Sequence, residues 1–179
     1  EVVEISADEI KQLCEPMKKK RICSFLWSYY GYPTSTYEGK NVELMRYING
    51  KIMAKYDREN KVCENIDYVG GVPDSGTPHA IGYANESGIP YGIGFIKNKY
   101  IGRSFIQPNQ NQREDAVRIK LNVIKENIKG KRVIMIDDSI VRGTTCARIV
   151  NLLREAGATE VHMRVSSPPF KHPCYFGTD

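Results

Sequence analysis

Val133-Ile134-Met135-Ile136-Asp137-Asp138-Ser139-Ile140-Val141-Arg142-Gly143-Thr144-Thr145 is the stretch that decides the fold. Its four opening residues are apolar without alternation, the pattern of a strand buried on both faces of a parallel sheet. Two adjacent carboxylates follow at the open end of that strand. A turn, Arg142 to Thr145, then feeds a helix whose Cys146, Ile149, Val150, Leu153 and Ala156 share one stripe, with Gly157 closing it. Val161 to Val165 supplies the next strand.

Outward from this unit the same alternation continues. Tyr68 to Val72 reads as a buried strand, the turn Pro73 to Gly76 leads to a helix over Pro78 to Ser87, and Gly88 stands where a left-handed cap is wanted. Ile93 to Ile96 is expected to be a further strand, and about Arg113 to Asn127 a helix closed by Gly130. Nearer the N-terminus, Glu1 to Ile5 reads as a strand. The aromatic-rich Arg21 to Tyr30 reads as strand or extended chain, Tyr32 to Lys40 as a loop, and Asn41 to Tyr56 as a helix. Strands and helices at this spacing predict an α/β fold, a parallel sheet flanked by helices. In such sheets ligands lie beyond the carboxyl ends of the strands. Asp74-Ser75, Lys97-Asn98-Lys99 and Asp137 to Thr145 should therefore converge on one cleft.

The loop's chemistry is specific. Unpaired backbone N–H groups at a helix N-terminus suit a phosphate monoester, Gly143 lets the backbone come close, and the threonine hydroxyls add donors. Two carboxylates beside a phosphate repel it unless they face something else. Sugar hydroxyls and a hydrated Mg2+ shared with the substrate answer that need. A ribose 5-phosphate fits, its phosphate in the loop and its hydroxyls on Asp137 and Asp138. Other phosphate motifs are missing: there is no GxxxxGK followed by Ser or Thr, and Gly92-Ile93-Gly94 lacks the third glycine of a dinucleotide fingerprint.

Composition narrows the class. The chain has 179 residues, 41% hydrophobic, enough for one domain with a core. No apolar run reaches membrane-spanning length. The net charge of +5 is mild, and Lys18-Lys19-Lys20-Arg21 reads as a solvated turn before the next strand rather than a nucleic-acid patch. Five dispersed cysteines, Cys14, Cys23, Cys63, Cys146 and Cys174, argue against a disulfide framework and for a reducing cytoplasm.

The loop resembles the phosphoribosyl pyrophosphate signature of type I phosphoribosyltransferases. Its wording, Asp137-Asp138-Ser139-Ile140-Val141-Arg142-Gly143-Thr144-Thr145, is most similar to the glutamine phosphoribosylpyrophosphate amidotransferases. Gly71 to Ser75, Ile81 to Ala84, Gly88 to Tyr91, Lys97 to Pro108 and Arg154 to Ala158 carry the same resemblance. It implies the type I phosphoribosyltransferase fold and transfer of the phosphoribosyl group to ammonia, taken from glutamine in the full enzyme. It also implies roles: Ser75, Asp137 and Asp138 at Mg2+, Ser139 to Thr145 around the phosphate with Asp74 and Ser75 nearby, and Lys97 opening a substrate-covering loop that helps bind pyrophosphate. Two other readings stay open. A salvage phosphoribosyltransferase would carry a late base-contacting segment, which is not found here. A non-catalytic phosphoribosyl pyrophosphate sensor would lack the lysine or the acidic pair, and both are present.

The resemblance also sets expectations beyond this loop. Residues 1 to about 20 look like a connector or the remnant of a glutaminase domain, and 21–179 like a phosphoribosyltransferase domain ending before the family's last helices. The full-length family member is expected to be a homo-oligomer. Cys14 lacks the surroundings of the family's glutaminase nucleophile. Leu26-Trp27 and Tyr32-Pro33-Thr34-Ser35 depart from the family's charged residues there. Cys23 and Cys174 are similar to two of the thiolate ligands of the family's iron–sulfur branch. Such clusters use four thiolates. A four-iron (4Fe-4S) cluster is therefore expected in the full-length protein and not in this chain.

Overall fold

The structure is a computed structural model that describes residues 2–62, 64–98, 121–141, 143–169 and 171–172. The chain opens with an antiparallel hairpin, β1 (Val2–Ile5) and β2 (Ile10–Cys14), exposed along both strands. Only the first of these strands is expected from the sequence. Two short strands, β3 (Thr36–Tyr37) and β4 (Lys40–Asn41), pair within and just after the expected loop and lead into α1 (Val42–Glu59). Next come β5 (Tyr68–Gly71), α2 (Gly76–Ser87), β6 (Phe95–Lys97), β7 (Leu121–Val123), α3 (Lys125–Ile128), β8 (Arg132–Asp137), α4 (Thr144–Glu155) and β9 (Glu160–Val165).

The centre is a parallel sheet in the order β5-β8-β9, with Val69 opposite Ile134 and Ile134 opposite His162. Val133, Ile134, Met135 and Ile136 are all fully buried. Strand alternation divides them between two cores. Val133 and Met135 pack with Ile149, Leu153 and Ala156 of the α4 segment and with Phe95, Leu121 and Ile128. Ile134 and Ile136 pack with Val69, Ala80, Tyr83, Ala84 and Ala54 on the α1–α2 side. Each buried side chain contributes about 2 kcal/mol of hydrophobic stabilisation, so this one strand anchors both layers.

Helix α1 begins as its sequence suggests: the Asn41 side chain accepts from the Leu44 N–H at 3.0 Å. Its buried face, however, is Val42, Arg46, Gly50, Ala54 and Asp57, while Ile48 and Ile52 are exposed. Close approach to α2 explains this choice. A Cβ on Gly50 would lie 1.9 Å from the His79 carbonyl oxygen, and one on Gly82 would lie 2.0 Å from that of Tyr47. Two bare backbones make the contact, and large apolar residues are turned outward.

Three sequence expectations are corrected. Arg21 to Tyr30 is not extended throughout: Leu26–Tyr30 forms a π-helical turn. Its carbonyls find a side chain instead of a neighbouring strand, since buried Arg46 donates to Trp27 O at 2.8 Å and to Gly31 O at 3.1 Å. The strand near Ile93 does not join the parallel sheet. After Tyr91 bridges Val69, the chain turns away, and β6 pairs antiparallel with β7. The helix expected to Asn127 fails at its described end, where Leu121–Val123 is strand and only Lys125–Ile128 is helical. Leu121 is buried, Asn122 exposed and Val123 partly buried, which is a period of two rather than 3.6. Residues 113–120 lie outside the described ones.

Candidate active site

The turn after β5 and the loop after β8 meet at the carboxyl edge of the parallel sheet. Ser75, just ahead of α2, donates its hydroxyl to Asp138 Oδ2. Ser139 Oγ donates to Asp138 Oδ1 at 2.6 Å, so both carboxylate oxygens of this buried residue are engaged. Asp137 accepts the Asp138 backbone N–H at 3.0 Å. Burial first, and then the charge of Asp138, push the Asp137 carboxyl up to about 7, with that N–H opposing.

The loop then reaches Gly143, at φ +74°, and α4 starts at Thr144. A left-handed residue is easy for glycine, and the unpaired N–H groups of the first turn of α4 follow directly after it. Thr144 and Thr145 are exposed, as are Ile140 and Val141. From the other side, Lys97 at the end of β6 forms an ion pair with Asp74. The structure thus links Asp74, Ser75, Lys97, Asp137, Asp138 and Ser139 in one continuous arrangement. Arg142, Lys99 and residues 100–120 lie outside the described residues.

Several residues around this site are not evident from the sequence. His79 of α2 is 1% exposed, and its Nε2 lies 3.1 Å from Ser166 Oγ. Ser166 Oγ donates to the Asp138 carbonyl at 3.2 Å, and the Ser167 N–H reaches the same oxygen at 2.9 Å. Asn49 donates to the Ser166 carbonyl at 2.8 Å, and Ser167 Oγ meets Ser28 Oγ at 3.1 Å. The imidazole is pushed down to about 4 by burial and then by the Arg46 guanidinium, with the Arg46 backbone opposing. Cys146, in the first turn of α4, has its thiol raised by burial and then by Asp137. The strand-end rule that points to Asp137 would also have found Ser166-Ser167, directly after β9. Nothing in the sequence marks His79, Asn49 or Arg46.

Two carboxylates and a serine hydroxyl are hard oxygen donors of the kind Mg2+ takes. Among the described residues no group of three or more His, Cys, Asp and Glu is placed to hold a metal. Asp137, Asp138 and the Ser75 hydroxyl fit an ion that takes further ligands from substrate and water. Cys23 is an exposed free thiol. Cys174 lies outside the described residues. No described helix is long and apolar enough to cross a membrane.

Residues 40–168 match the phosphoribosyl transferase domain family, and the chain belongs to that family. It is 51% identical over 162 residues to the amidophosphoribosyltransferase of Archaeoglobus fulgidus, covering 90% of this chain and 34% of that protein. It is 53% identical over 160 residues to the amidophosphoribosyltransferase of Bacillus subtilis, covering 89% and 33%. Among solved structures it is similar to the glutamine phosphoribosylpyrophosphate amidotransferase from B. subtilis complexed with ADP and GMP. The TM-score is 0.76 at 49% identity, over 97% of this chain and 37% of that one. The chain spans about a third of the length of the curated relatives it matches. Its α/β architecture is the type I phosphoribosyltransferase fold.

Proposed function

We propose that this chain carries the phosphoribosyl-transfer site of an amidophosphoribosyltransferase. The reaction joins phosphoribosyl pyrophosphate to ammonia, drawn from glutamine in the complete enzyme, and gives 5-phosphoribosylamine and pyrophosphate at the first step of de novo purine synthesis. One observation supports this reading above the rest: the Ser75 hydroxyl and the Asp138 carboxylate are in direct contact at the sheet's carboxyl edge, beside a helix N-terminus. The names of relatives near 50% identity agree with it.

In this reading Ser139, Ile140, Val141, Arg142, Gly143, Thr144 and Thr145 wrap the 5-phosphate through backbone N–H groups and threonine hydroxyls. Asp137 and Asp138 accept from the ribose hydroxyls and, with Ser75, hold Mg2+. That ion, when bound, neutralises the leaving pyrophosphate. Asp74 and Lys97 flank the leaving group, and Lys97 exchanges its carboxylate partner for pyrophosphate oxygens. The C1–O bond to pyrophosphate breaks through an oxocarbenium-like state as the C1–N bond forms, and the new ammonium gives its proton to solvent. Free ammonia is already a nucleophile, so no side chain need act as general base. The site fixes the sugar and keeps water from the cation.

The same reading makes residues 1 to about 20 a connector or glutaminase remnant and 21–179 the transferase domain. It places the complete protein in the cytoplasm as a homo-oligomer without nucleic-acid or membrane partners. The iron–sulfur cluster belongs to the complete polypeptide, because Cys23 and Cys174 supply two thiolates where four are usual. The test is pyrophosphate release from phosphoribosyl pyrophosphate and Mg2+ by the complete polypeptide encoded by its gene. Ammonia should drive it. Release driven by a free purine or pyrimidine base, and not by ammonia, would overturn the assignment in favour of a salvage enzyme.

A further inference from the structure

Asp138 is held at both ends, and the two holds differ in kind. Its carboxylate takes the Ser75 and Ser139 hydroxyls, which are part of the loop's own chemistry. Its carbonyl oxygen takes the Ser167 N–H at 2.9 Å and the Ser166 hydroxyl at 3.2 Å. Ser166 Oγ also lies 3.1 Å from His79 Nε2, so this one hydroxyl ties the imidazole to the Asp138 carbonyl. The chain of contacts runs from His79 Nε2 through Ser166 Oγ to the Asp138 carbonyl.

His79 sits in α2 with 1% of its surface exposed, so it is unavailable to substrate. Its backbone is wedged against α1, where Gly50 leaves no room for a Cβ beside the His79 carbonyl. The ring is thus anchored by helix packing, while its Nε2 reaches a hydroxyl on β9's exit. Asn49 fixes the other side of Ser166 by donating to its carbonyl at 2.8 Å.

We infer that His79, acting through Ser166, is a positioning residue that sets the Asp138 peptide, and hence its carboxylate, for the sugar and its cation. This rests on the proposed function of the Asp137–Asp138 loop. The chemical reason is orientation: partners behind a ligating carboxylate fix its direction, and removing one commonly costs about 10- to 100-fold in metal affinity or activity.

The experiment is equilibrium binding of phosphoribosyl pyrophosphate with Mg2+ by wild type, His79→Leu, His79→Gln, Ser166→Ala and the His79→Leu/Ser166→Ala double variant, each with its melting temperature. Glutamine carries an amide that can donate or accept near the position of Nε2 and should bind within about twofold of wild type. His79→Leu and Ser166→Ala should each weaken binding by about tenfold, and the double variant no further, because both cut one chain of hydrogen bonds. If His79→Leu does not fold, Ser166→Ala and His79→Gln decide the matter. Wild-type affinity in folded His79→Leu or in Ser166→Ala overturns the inference, as does a His79→Gln variant as weak as Ser166→Ala. Absence of binding by wild type is a different result: it overturns the functional reading itself, and this inference with it.

Discussion

Lys97, the last residue of β6, is ion-paired with Asp74, the residue before the serine that bonds Asp138. The two side chains are 37% and 75% exposed, and pairs of that kind contribute only about 0–1 kcal/mol to stability. In the proposed function the pair is a cation parked on a replaceable anion. Lys97→Met should therefore leave the melting temperature nearly unchanged while weakening phosphoribosyl pyrophosphate binding by about tenfold. Equal affinity in the variant and wild type would remove Lys97 from the site.

Two desolvated groups, the half-buried Asp137 and the buried His79, should give opposite pH responses. Asp137 ordinarily titrates at 3.8 but is pushed up to about 7 here. The folded chain keeps a proton that the unfolded chain has lost, so this group's contribution to stability falls as pH rises through that window. His79 moves from 6.5 down to about 4. The unfolded chain binds the extra proton there, so its contribution, about 3 kcal/mol, is present above the upper value and is lost as pH falls toward the lower. Denaturation midpoints across this range should show the acid-side loss diminished in His79→Gln and the alkaline-side loss diminished in Asp137→Asn. Unchanged profiles in both variants would contradict these assignments.

In the proposed function Asp137 holds Mg2+ and must be ionised to do so, which gives a separate expectation. At about pH 6, binding of Mg2+ with phosphoribosyl pyrophosphate should release a proton. Calorimetric heats in buffers of different ionisation enthalpy measure this directly. Heats independent of the buffer would mean that Asp137 does not change protonation on binding.

The α1–α2 contact should be intolerant of a single methyl group. A Cβ on Gly50 would meet backbone rather than a movable side chain. Gly50→Ala should cost about 2 kcal/mol in chemical denaturation. A variant as stable as wild type would show that the helices can separate without loss.

Much of this fold is legible from Val133 to Ala156. The unbroken apolar run announces a strand buried on both faces, and the stripe on α4 announces the helix that covers one of them. Asp137, Asp138 and Ser75 are legible for the same reason, since they stand where such strands end. What stayed hidden depends on tertiary contact. Ile48 and Ile52 look like core residues but lose that place to Gly50, because bare backbone allows closer packing. The aromatic Leu26–Tyr30 turn owes its shape to Arg46, many residues away in sequence. His79 is silent in the sequence because its role depends on Ser166, brought alongside by the β8–β9 pairing.

The most direct test of the central claim is calorimetric titration of phosphoribosyl pyrophosphate into wild type, Asp137→Asn and Asp138→Asn, with and without Mg2+. Wild type should show saturable, Mg2+-dependent binding, and each variant should lose about 10- to 100-fold in affinity while keeping its circular dichroism spectrum. Wild-type affinity in both variants, or no Mg2+-dependent binding by wild type, would contradict the assignment of this loop.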